Sequence, residues 1–353
     1  MNDEKQLILE MLKEGKITVE EANDLLSAIG NKKGRNDSDF MARINQSIES
    51  VIKKTTDAFE SLSNIDLENI DINQYNIKGQ VNTNKEMRID DEINNINIDI
   101  PSGKILIERA NDSAITINQD IWSKKGELLD YLDIEIIEDD LNISVNEAYH
   151  NLEATSIIKI ALGKNLYENL NINLVNGNIE IEDVDFTDTS INSINAKVNV
   201  INSQGDIDIQ NTNGKVDIKN TNGDLTIDNV NGSIYLANIS GEKAEIDAVS
   251  GNIRVDGLNT KNLFADTDSG NIRIYNIKES EKIDLNSGFG NIVIDSESYA
   301  GEIKAEVLSQ GLNLSDKFKN KMQKEKGYEV STNLEKTDIE IFASAAFGKI
   351  NLR

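Results

Sequence analysis

Four consecutive nine-residue segments, GDIDIQNTN (205–213), GKVDIKNTN (214–222), GDLTIDNVN (223–231) and GSIYLANIS (232–240), all open with Gly-x-apolar-x-apolar. The phrase returns as GNIRV at Gly251, GNIRI at Gly270 and GNIVI at Gly290, at about twice that spacing. Strand alternation sends the third and fifth positions (Ile207/Ile209, Val216/Ile218, Leu225/Ile227 and Ile234/Leu236) to one face. One strand and one turn cannot bury that face alone, so the copies must stack into a continuous core. Two arcs then make one coil of about 18–20 residues, a β-solenoid. The seventh position carries Asn211, Asn220, Asn229, Asn238, Ala248 and Gly257. Asn and Gly tolerate φ > 0 best, so this whole column is read as a left-handed corner. The ninth position (Asn213, Asn222, Asn231, Ser240, Ser250) precedes each glycine and marks a second tight turn. Ile227 and Ile253 are expected in the core.

From about residue 64 to Gly177 the apolar residues already alternate, as in Ile96/Ile98/Ile100, Ile105/Ile107 and Leu170/Ile172/Leu174. The gaps there are longer and less regular, which predicts hairpin-like excursions before the strict repeat. Near the other end, a charged insertion, Lys317 to Glu329, interrupts the pattern. FGKINL at Phe347–Leu352 then resumes it and resembles FGNIVI at Phe289, so the chain end is expected to be a closing strand.

The first thirty residues read differently. Asp3 with Gln6, and Thr18 with Glu21, have capping-box spacing, and Leu7, Ile8, Met11, Leu12, Val19, Ala22, Leu25, Leu26 and Ile29 recur at helical period. Gly15 and Gly30 are placed to end the two helices. A polar linker and an amphipathic helix from Phe40 to about Leu62 follow, its apolar face carried by Ile44, Ile48, Val51, Ile52, Phe59 and Leu62. The expected organisation is a helical hairpin at 1–30, linker plus amphipathic helix at 31–63, and a β-strand-repeat domain at 64–353. The expected fold class is mainly β, a solenoid preceded by those α-helical elements. Two helices with so few core residues need a partner surface. Self-association or a protein partner is therefore expected through the N-terminal helices, together with a possible cell-envelope component.

A net charge of −26 argues against nucleic acid, which demands clustered Lys and Arg. Without cysteine there is no disulfide and no thiolate metal site, and with His150 alone no multi-imidazole zinc site. The N-terminus lacks a basic region followed by an apolar core, and no apolar run reaches transmembrane length, so the chain is expected in the cytoplasm, with envelope association as an alternative.

Three constellations bear on chemistry. A calcium β-roll would draw its carboxylates from Asp208, Asp217, Thr226 and Tyr235, two of which cannot supply one. A carbohydrate-active β-helix would use Arg254 and Arg273, at one repeat position, with Asp266 and Asp268. His150, after Tyr149, reads as a surface-loop residue. None of the three is convincing, so no catalytic, cofactor-binding or metal-ligating residue is assigned.

EMLKEGKITVEEANDLLSAI, Glu10 to Ile29, resembles the short helical module that opens many Firmicutes proteins of this type. The Gly-x-Ile-x-Ile phrases, with INIDIPSGKILI at Ile96–Ile107, resemble the putative-adhesin β-strand-repeat family. The combination is similar to envelope-stress and daptomycin-sensing surface proteins of Gram-positive bacteria. The resemblance implies a non-enzymatic β-repeat protein of envelope stress or surface adhesion, and it carries no catalytic residues.

Overall fold

A computed structural model describes residues 81–353, apart from residues 111, 112, 151 and 153. Most of its twenty strands run through two parallel sheets joined at corners, and antiparallel strands finish both ends. Sheet A takes the first halves of β7 (Tyr167–Glu182) and β8 (Phe186–Ile201), then β9 (Asp206–Asn213), β11 (Leu225–Asn231), the second halves of β12 (Ile234–Ser250) and β13 (Ile253–Ser269), and β15 (Lys282–Ser287). Sheet B takes the other halves of the long strands, with β10 (Val216–Asn222), β14 (Ile272–Ile277) and β16 (Ile292–Ile294). One ladder in sheet B reads Val198, Val216, Ile234, Ile253, Ile272, Ile292. Its steps are 18, 18, 19, 19 and 20 residues, the coil length expected from the repeat. The inward columns of both sheets join one hydrophobic cluster, and Ile227 and Ile253 are fully buried within it.

The seventh-position column, uniform in sequence, is two columns in space. In sheet B the corner is left-handed at Asn202, Asn220, Asn238, Gly257 and Asn276, with φ between 51° and 81°. The exposed asparagines there form a ladder: Asn220 Nδ2 donates to Asn202 Oδ1 at 2.8 Å and Asn238 Nδ2 to Asn220 Oδ1 at 3.0 Å. In sheet A, Asn211 and Asn229 are fully buried, and neither has positive φ. Their side chains donate instead to corner carbonyls, Asn211 to Ala196 O at 3.1 Å and Asn229 to Gly214 O at 3.2 Å. Thr267 and Ser287 do the same for Gly251 and Gly270. The left-handed assignment therefore holds for Asn220, Asn238 and Gly257 and is wrong for Asn211, Asn229 and Ala248. One residue type serves two physical needs, and the nine-residue period hides the difference.

Both ends depart from chain order. At the N-terminal end, β2 (Asn95–Arg109) lies between β7 and the coil made by β5 (Asp140–Val145) and β6 (Ala154–Leu162). Antiparallel strands then close it: β4 (Leu132–Ile137) on β5, β3 (Ile115–Ser123) on β6, and β1 (Val81–Ile89) on β3. These are the expected excursions, but β2 is already a full coil, with Gly103 opposite Gly177. At the other end, β20 (Ile339–Leu352) is inserted between β15/β16 and β17 (Ile303–Leu314). The last repeat thus fills a slot inside the stack, with the Phe347 and Phe289 rings stacked 4.8 Å apart, and β17 lies outside it. The charged insertion supplies β18 (Asn320–Gln323), antiparallel on β19 (Tyr328–Ser331), which pairs antiparallel with β17. Switching from parallel to antiparallel pairing lets short, charged strands finish edges that would otherwise recruit further strands.

The α-helical part of the expected fold class needs correction. Among the described residues there is no α-helix, only a 3-10 turn at Glu147–Tyr149. The hairpin at 1–30 and the amphipathic helix at 40–62 lie outside the described residues. Helical spacing over two or three turns is a local preference that packing must convert into structure, and the described core is built from strands alone. Partnering through N-terminal helices rested on that hairpin and loses its support with it.

Two expectations follow for stability. Gly232 has φ 141°, and a Cβ there would stand 1.9 Å from Gly214 O, whereas a Cβ at Gly126 (φ 110°) meets nothing within 4 Å. Gly232→Ala should therefore lower Tm well beyond Gly126→Ala, which bears only the backbone strain of a positive φ, about 1–3 kcal/mol; equal shifts would contradict the packing. Asn220→Gly should stay within about 1 kcal/mol of wild type, while Asn229→Gly should lose about 1–3 kcal/mol by stranding a buried carbonyl. Urea titration of both variants reads the difference.

Candidate binding face

Strand alternation turns every second side chain of sheet B outward, and the parallel register lines these up from coil to coil. One outward column runs Asp217, Tyr235, Arg254, Arg273, and the next runs Lys219, Ala237, Asp256, Tyr275. Adjacent coils lie about 4.8 Å apart, so cations and rings interleave. The Arg254 guanidinium lies 5.7 Å from the Tyr235 ring centre and 4.8 Å from that of Tyr275. Lys215 and Lys219 approach Tyr235 at 5.8 and 5.6 Å, and Arg353 approaches Tyr275 at 5.9 Å. Such cation–ring contacts are each worth about 0.5–1 kcal/mol at exposed sites.

The carboxylates of this face are engaged. Lys215 Nζ donates to Asp217 Oδ2 at 2.9 Å, and Lys219 Nζ lies 3.0 Å from Oδ1. Burial pushes the Asp217 carboxyl up, but the hydrogen bonds from the two lysines outweigh it and hold the group below its ordinary value. Asp256 is also held low, chiefly by Asn276 Nδ2, which donates to Oδ1 at 2.6 Å, and then by Arg254 Nη2 on Oδ2 at 3.0 Å. That bond to Asp256 in turn raises the Arg254 guanidinium above its usual value. Arg353 Nε lies 3.2 Å from Asp295 Oδ2. Among the described residues, Arg273 makes no ion pair. Beyond Asp256, Gly257 interrupts the corner asparagine ladder. The gap opens a surface cavity of about 700 Å³ lined by Asn238, Asp256, Asn276, Lys278 and Tyr299.

The residues weighed from sequence are only partly brought together. Arg254 and Arg273 are neighbours, as their repeat positions require. Asp266 sits on the outer side of sheet A, between buried Ala265 and Thr267 and beside Asp247 and Asn286, while Asp268 lies two residues on, towards the corner. The arginines and Asp266 therefore face away from each other across the core. The calcium column splits the same way: Asp208 pairs with Thr226 in sheet A, and Asp217 with Tyr235 in sheet B. His150 closes the 3-10 turn, its Nε2 2.9 Å from Val145 O. The rings Tyr235 and Tyr275, with Lys215 and Lys219, were missed. Reading columns at a step of 18–20 residues instead of nine would have found them.

Because Asp217 titrates lower in the folded than in the unfolded chain, its contribution to stability is complete above the ordinary carboxylate pKa near 3.9 and is lost as pH falls through the folded value. The Tm gap between wild type and Asp217→Asn should be widest at neutral pH and shrink below about pH 4. A gap that persists unchanged into acid would contradict the pairing.

Residues 223–349 match the Toastrack DUF4097 family, and residues 3–34 match a SHOCT-like domain. Similar solved structures include a putative cell adhesion protein from Clostridium sporogenes, at 13% identity over 76% of this chain and 99% of that one, TM-score 0.25. A putative adhesin from Bacteroides fragilis matches at 14% identity over 77% of this chain and 97% of that one, TM-score 0.36. A putative lipid binding protein from Parabacteroides distasonis matches at 13% over 77% and 96%, TM-score 0.38. No curated protein matches the chain. The β-repeat resemblance carried by the Gly-x-Ile-x-Ile phrases thus has its counterpart in the Toastrack family over residues 223–349.

Proposed function

We propose that this protein is a non-catalytic, adhesin-like binding protein of the cell envelope, and that the outer face of sheet B is its binding surface. The observation that carries the proposal is the interleaved array of Tyr235, Arg254, Arg273 and Tyr275, held in register by the stack. Rigid in-register side chains lose little freedom on binding, which favours recognition of an extended ligand. The groups that a polysaccharide-cleaving enzyme would need to converge, Arg254 and Arg273 with Asp266, lie on different sheets. Action at the envelope, in stress sensing or adhesion, belongs to the same proposal and draws on the resemblance of the repeat phrases. Among the described residues no helix is long and apolar enough to cross a membrane.

Pull-down of the full chain on isolated Gram-positive cell walls tests the proposal. Wild type should co-sediment, and Tyr235→Ala/Arg254→Ala/Tyr275→Ala should not, while thermal melting shows the variant still folded at the assay temperature, its Tm lowered only by the lost cation–ring contacts and ion pair. Undiminished sedimentation of the triple variant would overturn the choice of face. Turnover of a wall polysaccharide by wild type, abolished by Arg273→Ala, would overturn the non-catalytic assignment.

A further inference from the structure

We propose that the outer face of sheet B takes an acidic polysaccharide, a chain of pyranose rings bearing carboxylates, laid along the stack across successive coils. This inference rests on the assignment of that face as the binding surface and names its ligand class.

Charge points first. The chain carries −26, yet this face sets Lys215, Lys219, Arg254, Arg273 and Arg353 against Asp217, Asp256 and Asp295. A local excess of positive charge on a strongly acidic protein concentrates the field where an anionic ligand can enter and repels it elsewhere. The three carboxylates are already engaged by cations, whereas Arg273 makes no ion pair among the described residues. Its planar fork matches a carboxylate with two parallel N–H···O bonds, which an ammonium cannot do.

Spacing points the same way. Tyr235 and the Arg273–Tyr275 strand are two coils apart, or about 10 Å. That distance is of the order of one disaccharide in an extended chain, so alternate sugars would meet a ring and the sugar between would meet Arg254. The half-buried Tyr235 and Tyr275 rings offer a pyranose the apolar surface that the flanking cations leave uncovered, and the Arg273 guanidinium, with no ion pair among the described residues, takes its carboxylate. A phosphodiester chain would also use rings and cations. Here the cavity residues Asn238 and Asn276, whose Nδ2 groups donate to Asn220 and Asp256, stand beside the array with their amide oxygens as uncharged acceptors. Such acceptors receive hydrogen bonds from sugar hydroxyls, which a deoxynucleotide chain lacks, so a hydroxyl-rich acidic polymer fits both halves of the surface.

Affinity electrophoresis of the full chain in gels containing polygalacturonate, neutral dextran or single-stranded poly(dT) tests the inference. Retardation is expected in polygalacturonate alone, weakening with added salt. Arg254→Ala/Arg273→Ala should weaken it about tenfold or more, Arg273→Lys should restore it only partly, and Lys261→Ala, on a corner away from the face, should leave it unchanged. Thermal melting checks that each variant is folded. Preference for dextran, or for poly(dT), overturns the acidic-sugar assignment. No retardation in polygalacturonate while cell-wall sedimentation persists overturns the ligand class and leaves the face standing. Retardation that survives the double arginine variant overturns the inference.

Discussion

Where consecutive coils cross at the corner leading into sheet B, their backbones meet with no room for a side chain. A Cβ at Gly177, Gly214, Gly232, Gly251, Gly270, Gly290 or Gly348 would stand 1.7–2.0 Å from the carbonyl oxygen one coil earlier in the stack. The amides at the same corner hold the next coil, as Gly214 N does on Asn231 O at 2.9 Å and Gly232 N on Ser250 O at 3.0 Å. From this close approach the rest follows. It fixes register, and register places isoleucine over isoleucine inside and Tyr235 beside Arg254 outside. It also leaves corner carbonyls facing inward, which is why Asn211, Asn229, Thr267 and Ser287 are polar residues in an apolar core.

How much of this was legible depends on the kind of information. The inward columns, from Ile207/Ile209 to Ile272/Ile274, could be read directly, because strand alternation needs no knowledge of the partner strand. The coil length followed from the same spacing. Asn220 and Asn229 could not be told apart, since each sits seventh in a near-identical phrase; only their sheets distinguish an exposed left-handed corner from a buried donor. The binding face was half legible. Arg254 and Arg273 share a repeat position in successive coils, but Tyr235 was set among nine-residue neighbours, two of which lie on the opposite sheet.

The slots of β2 and β20 were illegible for another reason. Every coil offers nearly the same edge, so local sequence cannot say which strand lies between which. The pairing of β20 with β16 on one side and β17 on the other depends on contacts far apart in the chain. The cost of such non-local closure is offset at the far end by specific anchors. Lys317 Nζ, for example, donates to Ser296 O and Tyr299 O, both at 2.6 Å, and burial lowers its pKa. The outcome is a stack whose middle repeats a simple rule and whose ends are finished by exceptions to it.

Eighteen to twenty residues, not nine, separate neighbours in the stack. The chain has no cysteine, so engineered pairs report cleanly. Asp208 and Thr226, eighteen residues apart, are register partners in sheet A, while Asp217 and Thr226, nine apart, lie on different sheets. Neighbouring parallel strands sit about 4.8 Å apart, within disulfide reach. Under mild oxidation D208C/T226C should close to an intramolecular disulfide and D217C/T226C should stay reduced, read by mass spectrometry after proteolysis. Closure of the nine-residue pair with failure of the eighteen-residue pair would contradict the account.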